Sequence, residues 1–139
     1  MLRFATPRLL GAAIILALAA ACTPASDQPS AEQALCDSLA AFGDSVQAIA
    51  DISPDTASIE DIQAAGEAAQ DAWDQVLTDA ADVSSADDAA VDAAWSALAS
   101  SITDIPTDVP VSMAKAGIEA AIAGVQSAYA EMRDGLGCA

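Results

Sequence analysis

The chain has 139 residues and a formal net charge of −17, with 4 Lys or Arg, 21 Asp or Glu and no His. That length holds one domain at most, and so much negative charge repels nucleic acid phosphates and anionic lipid headgroups. Without His, a Ser-His triad, a His-ligated zinc or a His general base is excluded.

The chain opens on Arg3 and Arg8, followed by an apolar run from Leu9 to Ala21. A positive segment before a short apolar one reads as a signal peptide over 1–21, too short for a comfortable membrane span. The run ends at Ala19-Ala20-Ala21-Cys22. Small residues before a Cys resemble the lipobox of bacterial lipoproteins, with Leu18 four positions before the Cys and Ala19 three before. The resemblance covers residues 1–22. It implies that the Cys22 thiol receives a diacylglycerol, with acyl chains such as palmitate, and becomes the mature N-terminus at the extracytoplasmic face of the cell membrane. One Lys, no Asn and abundant Ala and Asp also resemble small Ala-rich lipoproteins of high-GC Gram-positive bacteria. Residues 22–30 then read as the lipidated Cys and a flexible tether, at most about 28 Å long. Loss of 1–21 leaves Lys115 and Arg133 as the cations against all 21 acidic side chains.

Residues 31–139 carry helical periodicity throughout. The first helix is expected near Ser30, with Gln33 completing a capping box and a stripe of Leu35, Leu39, Phe42, Val46 and Ile49. Ser53-Pro54 stops it. The second is expected from Thr56–Ser58 to Ala80 on Ile59, Ile62, Gly66, Ala69, Trp73 and Val76. The third is expected after Ser84 or Ser85, with Asp87 and Asp88 in its first turn and a stripe of Val91, Trp95, Leu98, Ile102 and Ile105. The fourth opens around Asp108–Pro110 and runs to Arg133–Asp134 on Ile118, Ile122, Val125, Tyr129, Met132 and Leu136, with Gly135 as its C′ glycine. Gly66 is expected to permit close helix packing, and Gly117 and Gly124, one heptad apart, to do the same.

These narrow, nearly heptad stripes predict an all-α fold, an up-down-up-down antiparallel four-helix bundle. With Cys22 assigned to lipid, Cys36 and Cys138 form an even pair in an exported protein and are expected to be joined. The bond tests the helix count. Cys36 opens the first helix and Cys138 follows the last, so in an up-down bundle they meet only if the number of helices is even. Three helices would separate them by roughly 30 Å, whereas a disulfide needs Cα atoms within about 7 Å.

Functional signals in this region are sparse. Asp87, Asp88 and Asp92, with Asp71, Asp74 and Asp79, make the turn between the second and third helices the most acidic end. Such a cluster could collect Ca²⁺, but no Asp-x-Asp-x-Asp-Gly loop occurs, and a solvated acidic face is the favoured reading. Trp73 and Trp95 are expected to share a layer, either filling the core or lining a small apolar ligand cleft. There is no phosphate-binding Gly loop, nucleophile–base pair or cofactor motif, and no metal site is assigned. The expectation is a membrane-anchored lipoprotein that is no enzyme and needs no cofactor. It would be a protein-interaction module for an envelope partner, with small-ligand or cation binding as the alternative.

Overall fold

The structure is a computed structural model and describes residues 30–139. The signal segment, Cys22 and the tether up to residue 29 lie outside the described residues. Four helices follow in order: α1 (Ala31–Ala50), α2 (Ile59–Ala80), α3 (Ala89–Thr103) and α4 (Val111–Leu136). No strand occurs among the described residues. Each helix lies against its neighbour in sequence, and α1 also lies against α4, which closes the ring into an antiparallel up-down-up-down bundle.

The helix starts follow local chemistry. The Ser30 hydroxyl accepts the Gln33 amide at 3.2 Å and caps α1. The expected reciprocal half of that capping box is missing, because the Gln33 side chain donates forward to Asp37 instead. A complete box stands at α2. The Ser58 hydroxyl accepts the Asp61 amide, and the Asp61 carboxylate accepts the Ser58 amide at 2.7 Å. These bonds from the Ser58 backbone and then its hydroxyl hold the Asp61 carboxyl below its ordinary value. A carboxyl with a lowered folded value stabilises above the unfolded value and loses that contribution as pH falls through the folded one. Ser58→Ala keeps the backbone bond and removes the hydroxyl, so it is expected to raise the Asp61 titration part of the way toward the ordinary carboxylate range and to lower the melting temperature at neutral pH. An NMR pH titration with thermal unfolding checks both.

Two boundaries differ from the sequence reading. α3 begins at Ala89, beyond the expected Ser84 or Ser85. Residues 80–86 instead make two consecutive turns, with Val83 donating to the Ala80 carbonyl and Ala86 to the Val83 carbonyl. Val83 is buried there and ties the α2–α3 connection to the core. Asp87 and Asp88 thus precede the helix, and the Asp87 carboxylate accepts the Ala89 amide. At the other end of the chain, Gly135 lies inside α4, and Gly137 is the left-handed residue, with φ 69°. Continuing the helix through Gly135 lets Leu136 pack against the core before the chain turns.

The stripes meet in one core. Leu35, Leu39, Phe42, Val46 and Ile49 of α1 are buried with Ile62, Ala69, Trp73 and Val76 of α2, and with the corresponding residues of α3 and α4. Each large apolar side chain buried contributes about 1.5–3 kcal/mol. At mid-height every helix supplies one aromatic ring. Phe42 of α1 stands at the centre, with ring centroids 5.1 Å from Trp73, 5.5 Å from Trp95 and 6.5 Å from Tyr129. Gly43 makes room for this layer, since a Cβ there would lie 2.6 Å from the Tyr129 ring. A Cβ on Gly66 would meet Ile102 at 3.2 Å, the close approach its stripe position implied.

Gly117 and Gly124 depart from that pattern: a Cβ on either would meet nothing within 4 Å. They lie on the outward side of α4, so helix packing does not account for them. Gly117→Ala and Gly124→Ala are each expected to stabilise the fold by about 0.5–1 kcal/mol, read as a higher denaturant midpoint.

Candidate functional site

The bundle has two unlike ends. At the end where the chain enters through Ser30, Cys36 in the second turn of α1 is bonded to Cys138, with a Cα–Cα distance of 5.6 Å. The close of α4 positions the second cysteine. Gly137 donates to the Asp134 carbonyl and Cys138 to the Arg133 carbonyl at 3.0 Å, the paired bonds of a Schellman motif. The left-handed turn at Gly137 directs Cys138 back toward α1. Arg133 lies over the Tyr129 ring, 5.6 Å from its centroid, and donates to the Tyr129 hydroxyl and the Ala139 backbone oxygen.

The acidic α2–α3 connection occupies this same end. Several carboxylates flanking it accept structural bonds. Asp79 accepts from the buried Ser38 hydroxyl of α1 and from Gln75. Asp74 accepts from Gln70, and Asp92 accepts from the Trp73 indole N–H at 3.1 Å. Among the described residues no group of three or more His, Cys, Asp or Glu is placed to hold a metal ion.

Trp73 and Trp95 share the aromatic layer, and both are core residues, 1% and 2% exposed. Their N–H groups reach across the same seam in opposite directions. Trp73 of α2 donates to Asp92 of α3, and Trp95 of α3 donates to the Gln70 carbonyl oxygen of α2 at 2.8 Å. A buried indole without a partner would cost about 1–3 kcal/mol, so these bonds fix the register of α2 against α3. An open groove of about 310 Å³ runs outside this seam, over Gly66, Gln70, Trp95 and Ile102. Trp73 does not line it.

The opposite end joins α1 to α2 through 51–58 and α3 to α4 through 104–110. Here Lys115 of α4 donates to the Ile52 carbonyl at 2.6 Å. The last turn of α1 has no basic residue of its own, so this ammonium supplies, from 63 positions away, the cation that a helix C-terminus favours. Sequence reasoning found no partner for Lys115, nor the roles of Ser38, Gln70 and Asp92. The indole-to-carboxylate pair was the most accessible of these, since Trp73 and Asp92 face one another across a hairpin. A groove of about 270 Å³ also opens at this end, between Ile105, Pro106, Val109, Met113 and Gly117. Met113 is 64% exposed, whereas the other large apolar side chains among the described residues are mostly buried.

No family model matches the chain, and no curated protein or solved structure was found to match it. No described helix is long and apolar enough to cross a membrane.

Proposed function

We propose that the chain is an exported lipoprotein, held at the extracytoplasmic face of the cell membrane through Cys22, whose bundle is a non-catalytic protein-interaction module. The anchor rests on the segment 1–22, with its positive start, short apolar run and small residues before Cys22. The observation that carries the role of the domain is how its reactive groups are employed. Both indoles, Lys115 and the cysteine pair are committed to holding the helices together, and Arg133 is committed to the close of α4. The outer helix surfaces remain, and they carry most of the carboxylates. Such a surface favours a cationic partner, speeds its encounter and opposes self-association.

The anchor is tested first. Cys22→Ala is expected to move the protein from the membrane fraction to the soluble extracytoplasmic fraction, and to abolish the incorporation of labelled palmitate. Membrane retention of the variant would contradict the lipoprotein reading. The module is tested by photo-crosslinking in intact cells from exposed helix positions. Adducts confined to one face of the bundle support it, and their absence from every face contradicts it.

A further inference from the structure

We infer that the groove where α3 turns into α4 is the docking site, and that its occupant is a cationic segment of an envelope protein presenting a bulky apolar side chain beside Lys or Arg. The inference rests on the interaction-module reading and names the place and the partner chemistry for it.

Three features of this end support it. The first is apolar surface left uncovered. Met113 stands beside a groove floored by Ile105, Val109 and Ile118, and its flexible thioether adapts to varied apolar partners. Gly117 lies one turn further along α4 and also lines the groove. It lowers helix propensity, and a Cβ there would meet nothing within 4 Å among the described residues, so the backbone is bare to close approach from outside.

The second feature is charge. Asp104 lines the groove as the C-cap of α3, whose last turn has no basic residue, and the exposed Asp108 sits in the same connection. The nearest cation in sequence, Lys115, is bonded to the Ile52 carbonyl. Lys115 is thus directed at the α1 end, and a cation beside the apolar side chain would meet the carboxylates of Asp104 and Asp108. A second copy of this chain would bring its own Asp104 and Asp108 and an equally large excess of negative charge, and an anionic lipid surface is repelled in the same way.

The third feature is position. The groove lies at the end of the bundle opposite Ser30, so the segment before Ser30 joins the bundle away from it.

The test uses the full-length protein in its own cells, with a photo-reactive residue replacing Met113 and, in separate strains, Asp44 on α1 or Gln75 on α2. The cross-linked peptide is sequenced by mass spectrometry. The expected result is one partner captured at 113 and at neither control position, through a segment with Lys or Arg beside a large apolar residue. In an Asp104→Lys, Asp108→Lys background the yield at 113 is expected to fall about tenfold, with membrane association and helical circular dichroism unchanged. Capture at position 44 or 75 and not at 113 would overturn this site while leaving the module reading standing. Capture of a second copy of this chain at 113, of a segment without basic residues, or a yield indifferent to the charge reversal would overturn the partner assignment. Capture at no position would overturn both readings.

Discussion

Replacing Cys36 and Cys138 together with Ala is expected to lower the unfolding free energy by about 4–5 kcal/mol. The bond closes a loop with a sequence separation of 102, and in the chain-entropy picture a loop of about 100 residues gives about 4.7 kcal/mol. For a domain of this size that corresponds to a fall in melting temperature of roughly 15–30 °C. The effect is large because the core is modest. Alanine occupies many helix positions and buries little area, so the core depends on about two dozen larger apolar side chains. The bond also joins the start of α1 to the residues just past α4, where fraying of the two helices would otherwise begin. Denaturant unfolding of the parent and the double variant, with helical circular dichroism as the signal, checks the difference.

The second large effect is expected at Phe42. Its ring touches both indoles and Tyr129 and is fully buried. Phe42→Ala opens a cavity in the layer to which every helix supplies an aromatic ring, and the rigid indoles, each held by its N–H bond, cannot collapse into it. The cost is about 3–5 kcal/mol. Met113→Ala, on an exposed side chain, is expected to change stability by less than about 0.5 kcal/mol. Tryptophan fluorescence reports the Phe42 variant directly, because the lost ring lies against both indoles.

The parts of the fold legible in the sequence are those governed by periodicity. Every large residue assigned to the α1 and α2 stripes is buried, because a helix must turn its apolar side inward wherever it packs. The cysteine pair was legible too, since its closure requires an even number of helices. The misreadings share a physical cause. The start of α3 depends on Val83 reaching the core, and the close of α4 depends on Leu136 doing so, whereas Ser84 and Gly135 show only local preference. Lys115 is 63 positions from the carbonyl it meets, and no local pattern encodes that pairing. Gly117 and Gly124 look like packing glycines until neighbours are placed around them, and then they have none.

The candidate site was less legible than the fold. Trp73 and Trp95 drew attention as large aromatic rings, and the structure gives them a structural task. The groove at Met113 drew none, because Met113 belongs to no stripe and Asp104 reads as an ordinary helix-end carboxylate. The proposed surface, made of one exposed thioether, a bare glycine and two loop carboxylates, has no motif, since its chemistry arises only when the α3–α4 turn brings these residues together.

The account turns on how three cysteines are divided between lipid and core. Peptide mapping by mass spectrometry of the protein purified from its own membranes, without reduction, tests this most directly. The predicted result is an N-terminal peptide that begins at Cys22 and carries the mass of a diacylglyceryl group. With it comes a linked pair containing Cys36 and Cys138, lighter by two hydrogen atoms than the separate reduced peptides. Free thiols at 36 and 138, or Cys22 joined to either of them, would contradict the account.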